Sequence, residues 1–460
     1  MSKVKLFGKR EKDMTQGNIW ILLLKFAAPL ALGYVFQQLY NVVDSYVVGN
    51  FVGTEAYAAV GNIGPIINML IGLFMGLATG AGVVLSQYYG AGDYDKVGKV
   101  VHTLIALALV MAVVLSLAGI ALIEPMLSFM KIKEPKVHAE AKIYLTIYFA
   151  GSAGLMFYNA GAGVLRAIGD STRPFVFLVI TALLNTGLDL LFVLAFDMGV
   201  AGVAWATVIA QAISAILVLI TLTRSKGPYK LCWGKVGFSL PILRQVIKVG
   251  MPSALQQAVT SFSNVFVQAY INAFGASLMA GWTTYGKLDA FALVPMMSIG
   301  MASTTFVGQN LGAGNVDRAK KGVKISLGIS LICTAMLLAP LMIWTRPLAA
   351  IFNPDPAVVD YAVLIIRLLS PFYLCCCINQ IYSGALRGAG ASFVAMAIML
   401  SSFVAFRQIY LAVVSSLTTS VLWTIFSYPL GWILASTLSF LYFRSGKWER
   451  FKLTKAQGEV

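Results

Sequence analysis

Long apolar stretches recur along this chain and constrain its fold more than any other feature. Each runs for 18 residues or more with few charges, so each is long enough for a helix to cross a hydrocarbon core about 30 Å thick. A membrane barrel would show short alternating strands instead. The sequence therefore predicts an all-α integral membrane protein with twelve transmembrane helices, at residues 18–50, 57–88, 97–122, 138–160, 173–196, 199–223, 242–272, 280–309, 319–343, 358–382, 392–414 and 420–443.

The charge distribution favours a membrane protein over a nucleic-acid-binding one. The net charge is +16, yet only 11% of the residues are charged, far below the quarter that is usual in soluble domains. Lys and Arg gather in segments that are cytoplasmic if the N-terminus is inside, above all residues 224–248. This positive-inside bias predicts a multi-pass protein of the cell membrane with both termini in the cytoplasm. The first apolar stretch lacks a small-residue cleavage site, so we expect it to be retained.

An internal repeat divides the chain. The segment SQYYGAGDYDKVGK from Ser86 returns as GQNLGAGNVDRAKK from Gly308, and GVLRAIGDS from Gly163 returns as GALRGAGAS from Gly384. Two six-helix repeats in the same orientation are typical of transporters whose lobes rock around a site near the lobe interface. We predict a cytoplasmic segment at 1–17, an N-lobe at 18–223, a cytoplasmic linker at 224–241, a C-lobe at 242–443 and a cytoplasmic tail at 444–460.

Two acids, Asp44 and Asp189, lie inside apolar stretches, where a charge costs roughly 2.5–3.5 kcal/mol on insertion scales. A rise of 1.5 Å per residue puts Asp44 about 9 Å, and Asp189 and Thr207 about 12 Å, below the outer ends of their helices. We therefore expect the three to meet in the outer part of the first lobe. Other polar residues share their helical faces at spacings of three or four, namely Gly33, Gln37, Tyr40 and Asn41 with Asp44, Thr181 and Asn185 with Asp189, and Gln211 and Ser214 with Thr207.

Such a site suits a small cation. Two carboxyl groups that share a buried site cannot both ionise freely, which suits a proton carrier. The same carboxylates with the side-chain oxygens of Asn185 and Thr207 equally suit Na⁺, which prefers oxygen ligands. The structural alternative is a neutral, hydrogen-bonded packing network.

The second lobe departs from this pattern. Gln257, Thr260 and Asn264 line one face of the seventh helix, but Val267 stands where Asp44 would be repeated. Asp289 is the deep acid of this lobe. It lines a cavity or pairs with a base, and Lys287 and Arg407 are the candidate bases.

Several motifs together carry a family resemblance. They are NVVDSYVVGNFVG from Asn41, the paired GAG turns, YNAGAGVLRAIGDSTRP from Tyr158, NTGLDLLF from Asn185 and GVAGVAWATVIAQ from Gly199. Over about residues 18–443 the chain resembles the multidrug and toxic compound extrusion (MATE) family, and more closely its prokaryotic DinF-type branch. NorM-type members carry an acid near Thr260 that this chain lacks.

The resemblance implies the roles of particular residues. Asp44, Asn185, Asp189 and Thr207 match the cation-linked site and would hold Na⁺ if that is the coupling ion, with Tyr144 as a looser match. Pro29 matches a proline at which the first helix of some members bends, and Gly33 lies one turn further on. We expect the substrate cavity to use Gln37, Tyr40, Asn41, Tyr144, Gln257, Thr260, Asn264 and Asp289.

The expected function is secondary active efflux. By this resemblance, the protein exports organic, often cationic compounds in exchange for H⁺ or Na⁺ by alternating access, as a monomer and without a cofactor. A lipid-linked oligosaccharide flippase of the same superfamily is the alternative, and it would show a strongly basic cavity. An ATP-driven pump is disfavoured because no Gly-Lys precedes Ser or Thr, and no enzyme motif surrounds His102 or His138, which we expect at the surface.

Overall fold

The computed structural model describes residues 13–129, 134–418 and 420–453, and these residues form helices and connecting segments without a strand. In the first half of the chain the α-helices are α1 Ile19–Val47, α2 Thr54–Gly90, α3 Tyr94–Ala121, α4 Ile123–Phe129, α5 Pro135–Ala150, α6 Ser152–Ala167, α7 Thr172–Leu190, α8 Gly199–Thr223 and α9 Leu240–Asn272. In the second half they are α10 Ala276–Ala292, α11 Val294–Gly312, α12 Val316–Ile343, α13 Thr345–Phe352, α14 Pro356–Leu369, α15 Tyr373–Gly388, α16 Ser392–Leu400, α17 Arg407–Leu417 and α18 Val421–Arg444.

The predicted all-helical membrane fold is confirmed. Within the described ranges, eight helical stretches are long and apolar enough to cross a membrane, or nine if α10 and α11 form one bent span. Some predicted single helices are interrupted. The predicted 280–309 span bends by 42° between α10 and α11, next to Pro295, and the 358–382 span contains a 3₁₀ turn at Ser370–Phe372 around Pro371. Proline lacks the backbone donor that a continuous helix needs.

The two copies of the sequence repeat form turns with the same backbone geometry. Gly92 and Gly314 end their helices with φ of 70° and 79°, and Gly169 and Gly390 have φ of 90° and 93°. In each pair the backbone closes in the same way, for example Asp93 N to Tyr88 O at 3.1 Å and Asn315 N to Asn310 O at 2.8 Å. These left-handed C-caps need glycine. The GAG motifs are therefore helix-ending turns.

Two compact units make up the described chain, and their limits differ from the predicted lobes at two segments. One unit spans Leu32–Gly250, which includes the segment predicted as a linker. The other contains Met14–Ala31 together with the chain from Met251 onward. In that second unit, Phe26 and Leu30 of α1 pack in the same core as Phe306 of α11. The unit limits thus fall inside α1 and α9, beside Pro29 and Pro252.

Glycines bring helices of the first unit into close contact. A Cβ atom at Gly151 would lie 2.2 Å from the Val208 side chain, and one at Gly154 would lie 2.7 Å from the backbone of Ala212. Small residues at helix contacts allow such approach in membrane proteins. The contact holds α6 against α8 and so fixes the position of Thr207, which lies on α8 within this packed region.

Candidate functional site

The carboxyl groups of Asp44 and Asp189 meet inside the first unit. Asp44 lies on α1, Asp189 lies on α7, and the two groups are within hydrogen-bonding range of each other. Asp189 is fully buried and Asp44 is partly buried. A π-helical segment follows each acid, at Val48–Val52 and at Leu191–Ala195. Such π-turns are common at functional sites, where they reorient side chains.

Asn185 links this pair to α8. With its amide oriented to satisfy both neighbours, its Nδ2 donates to Asp189 Oδ2 at 3.2 Å and its Oδ1 accepts from the backbone N of Thr207 at 3.2 Å. Asn185 and Thr207 are both buried. The i, i+4 spacing of Asn185 and Asp189 on α7 places the amide one turn from the carboxylate. Three helices therefore hold the site.

Tyrosines close one side of the site. The hydroxyls of Tyr40 and Tyr144 are directed at the Thr207 side chain, and the Tyr148 hydroxyl is directed at Gln211. The rings of Tyr144 and Tyr148 stack, with centroids 6.0 Å apart. The looser family match at Tyr144 thus lies in the cluster. The sequence analysis placed Gln211 on the same helical face as Thr207 but did not name Tyr148, although Tyr148 follows Tyr144 by one helical turn.

Four buried oxygens in this cluster lack an aligned hydrogen-bond partner in the described chain: Asp44 Oδ1, Asp189 Oδ1, Thr207 Oγ1 and Gln211 Oε1. No Lys, Arg or His of the described residues pairs with either carboxyl group. Buried acceptors normally have partners, and each unpartnered one calls for an explanation. Oxygen acceptors without a protein cation suit a bound H⁺ or a hard cation.

Other polar residues of the predicted faces do not join the cluster. The hydroxyls of Thr181 and Ser214 donate to their own helices, to Phe177 O at 2.8 Å and Ala210 O at 3.1 Å. Gln37 and Asn41 are exposed on α1, and the Asn41 amide donates to Gln38 at 3.4 Å. Gly33 has room around it, since a Cβ there would lie 3.7 Å from the Phe175 ring.

The second unit holds Asp289 in a different setting. The Tyr373 hydroxyl donates a hydrogen bond to Asp289 Oδ1, and Tyr285 also lies in hydrogen-bonding range of the carboxyl group. Lys287 lies over the Phe352 ring, 5.1 Å from its centroid. Of the two alternatives left open for Asp289, pairing with Lys287 is therefore not found in the described chain. Residues 287 and 289 are two apart in α10, so their side chains leave the helix in different directions.

Arg407 is held by polar groups of α9. Its Nη2 donates to Ser263 Oγ at 3.0 Å and to Asn264 Oδ1 at 2.8 Å, and its guanidinium lies 4.9 Å from the centroid of the Tyr428 ring. On the same helix Gln257 is exposed and Thr260 Oγ1 is buried without a partner in the described chain. Asn264 is thus a ligand of Arg407, which the sequence did not predict.

These features define a class of protein. Several membrane-spanning helices surround a buried carboxyl pair, and the chain forms two units of repeated design, an arrangement typical of secondary transporters. The sequence matches the MatE family over residues 29–191 and 252–406, and the chain belongs to that family. It is therefore a MATE transporter and not an enzyme.

Known relatives extend over nearly the whole chain. It is 29% identical to "Probable multidrug resistance protein YpnP" of Bacillus subtilis over 96% of this chain and 98% of the relative. It is 26% identical to "Probable multidrug resistance protein NorM" of Thermotoga maritima over 93% of each. Among solved structures, an outward-facing multidrug resistance MATE family transporter has a TM-score of 0.88 at 22% identity, over 97% of this chain and 100% of that one. The last comparison supports the fold.

Proposed function

We propose that this protein exports small organic molecules across the cell membrane in exchange for H⁺ or Na⁺, and that Asp44 and Asp189 bind the coupling cation. One observation carries the proposal. Two carboxyl groups from different helices share a buried site, and no base among the described residues pairs with them. An ionised acid inside the membrane is costly. Two adjacent carboxylates cost more because they repel each other, so reversible binding of a cation stabilises the pair.

The coupling cation has two candidates with different ligand demands. A single proton placed between Asp44 and Asp189 turns two repelling carboxylates into a donor and an acceptor. Na⁺ would take the carboxylates with the oxygens of Asn185 and Thr207. Asn185 Oδ1 already accepts from the Thr207 backbone, so it offers Na⁺ one remaining lone pair. One lone pair is enough to coordinate a cation, so these residues fit both H⁺ and Na⁺.

The proposed transport cycle follows from the free-energy cost of keeping two carboxylates adjacent without a cation. With the cation bound, the pair is stabilised and α1 is held to α7 through Asp44 and Asp189. When the cation leaves, repulsion between the carboxylates favours separation of α1 from α7. A substrate that binds better to one of these states than to the other is thereby coupled to the cation.

The substrate class is proposed from the relatives and from the second unit. The YpnP and NorM proteins are named for multidrug resistance, which supports several small organic substrates. The residues predicted from the sequence for the substrate cavity stay predictions; they are Gln37, Tyr40, Asn41, Tyr144, Gln257, Thr260, Asn264 and Asp289. Asp289 is partly exposed among aromatic rings, a setting that suits a cationic aromatic compound.

Finer features of this assignment remain predictions from sequence. They are the DinF-type branch, the cytoplasmic position of both termini, the lobe boundaries and the monomeric state. The cation site supports a functional monomer, since Asp44, Asn185, Asp189 and Thr207 come from one chain and one unit.

Efflux from proteoliposomes tests the proposal. Export of a fluorescent cationic dye is measured under an imposed pH gradient and, separately, under an imposed Na⁺ gradient. One of the two gradients should drive efflux in the wild type, and Asp44→Asn should abolish it. Asp317→Asn is the matched control, since Asp317 is an exposed acid at the start of α12. Gradient-driven efflux by Asp44→Asn at the control rate would refute the proposed site.

A further inference from the structure

A basic cavity lies at one end of the first unit, away from the carboxyl pair. It has a volume of about 590 Å³ and lies between the first turns of α3 and the segment that follows α8. Lys99, Lys230 and Lys235 line it, together with one acid, Asp95. We refer to it as the linker cavity.

The walls of the linker cavity are fixed in place. His102, predicted at the surface, is buried. Its Nδ1 lies 2.6 Å from Gly98 O, and its Nε2 accepts from Cys232 N at 3.1 Å. The backbone N of Ser239 donates to Thr103 Oγ1 at 3.2 Å. The ring of Tyr229 is buried as well. The segment predicted as a linker is therefore folded against α3, and it presents its lysines in a defined arrangement.

The cavity carries excess positive charge. Lys99 pairs with Asp95 at 2.6 Å, whereas Lys230 and Lys235 are exposed and form no salt bridge with an acid of the described chain. Lysine ammonium groups are compact point charges that bind phosphate well. The lining thus fits an anionic group of phosphate size.

The surroundings of the cavity are those of a membrane surface. Trp233, Phe238 and Leu240 are about half exposed on the same segment, and exposed aromatic rings beside lysines are typical of the lipid headgroup level. α3 begins here and is one of the membrane-crossing helices. Along α3, Val110 and Leu117 follow Lys99 by 11 and 18 residues, which returns them to the same helical face. Both are exposed.

We propose that the linker cavity binds the phosphate headgroup of an anionic membrane lipid. Lys230 and Lys235 hold the phosphate, Lys99 adds charge, and the acyl chains extend along the apolar face of α3 as far as Val110. Basic pockets between membrane helices bind anionic headgroups in this way. The site is separate from the carboxyl pair, so it does not depend on the proposed efflux function.

Lipid binding to the purified full-length protein tests this proposal. Delipidated protein in detergent is titrated with phosphatidylglycerol and with phosphatidylcholine of the same acyl chains, and retained lipid is counted by native mass spectrometry. Phosphatidylglycerol should bind at lower concentration than phosphatidylcholine. The Lys230→Gln/Lys235→Gln variant should lose roughly tenfold or more of that affinity. The matched control is Lys321→Gln/Lys324→Gln, which removes two exposed lysines from α12.

Two further measurements sharpen the result. Asp95→Asn should strengthen phosphatidylglycerol binding, because it removes the acid that pairs with Lys99. Inorganic phosphate is added as a competitor. Displacement of the lipid at millimolar phosphate would show that the cavity accepts the phosphate group from either source, and resistance would show that the lipid is the ligand. Equal binding of the two lipids, or unchanged phosphatidylglycerol affinity in the cavity variant, would overturn the proposal.

Discussion

Arg407 and Asp289, the two isolated charges of the second unit, do not form an ion pair. The guanidinium of Arg407 lies over the Tyr428 ring, while the carboxyl group of Asp289 accepts from Tyr373. Tyr428 is close enough to both charges to be influenced by each. Arg407 is thus a positioning group for α9, and Asp289 is left with neutral hydroxyl partners.

This separation predicts additive effects of substitution. Arg407→Gln should lower the free energy of unfolding by about 2 kcal/mol, because hydrogen bonds to Ser263 and Asn264 from a charged group are lost. Asp289→Asn should add its own smaller effect and should not restore stability. Thermal unfolding of the two single variants and the double variant in detergent measures this. Recovery of stability in the double variant would indicate a direct ion pair.

Asn185 is predicted to affect cation affinity by orienting the carboxylate of Asp189. Asn185→Ala removes the donor to Asp189 Oδ2 and the link to Thr207, so the carboxylate is no longer oriented. The half-saturating concentration of the coupling cation should rise roughly tenfold, as is usual when a group that orients a cation ligand is lost. Thr181→Ala is the control on the same helix, since within the described residues the Thr181 hydroxyl bonds only to the backbone of α7. An equal change in both variants would assign the effect to α7 packing.

Pro29 is predicted to permit bending of α1. The limit between the two units falls after Ala31, and Pro29 removes a backbone donor just before it. Pro29→Ala should therefore slow export without changing cation affinity. The repeat-related Pro252→Ala should slow it less, because α9 carries no coupling acid. A greater loss from Pro252→Ala would place the important bend in α9.

Stability depends on close contact between α11 and α15. A Cβ at Gly388 would lie 2.3 Å from Thr304 O, a backbone atom that cannot move aside. Gly388→Ala should destabilise the protein by about 1–3 kcal/mol. Gly286→Ala, with nothing within 4 Å of its Cβ position, serves as the control. Equal thermal stability of the two variants would contradict the packing described here.

Much of the candidate site was predictable from the sequence because helical spacing and depth in the membrane bring its residues together. Asp44, Asn185, Asp189 and Thr207 lie at helical spacings and comparable depths, and an acid in an apolar stretch is conspicuous. Tyr148 does not stand out in the same way. A tyrosine in a membrane helix carries no charge, and it can serve as a packing residue as well as a hydrogen-bonding one. Its participation depends on the rotation of α5 against α8, which one sequence does not reveal.

Partners across helices were the least predictable feature. Asp289 and Arg407 were plausible partners by charge, yet Tyr373 and Asn264 hold them instead. The sequence also did not predict that the segment before α9 is folded against α3. Its basic composition indicates a cytoplasmic connection, whereas its packing depends on individual contacts between elements, such as those of His102.

Asp44 and Asp189 are proposed to act as one cation site. The most direct measurement is gradient-driven efflux by Asp44→Asn, Asp189→Asn and the double variant, reconstituted at equal protein density. If the two carboxyl groups bind one cation together, each single variant should lose coupled efflux and the double variant should be no worse than either. Losses that multiply, or coupled efflux that persists in one single variant, would contradict a shared site.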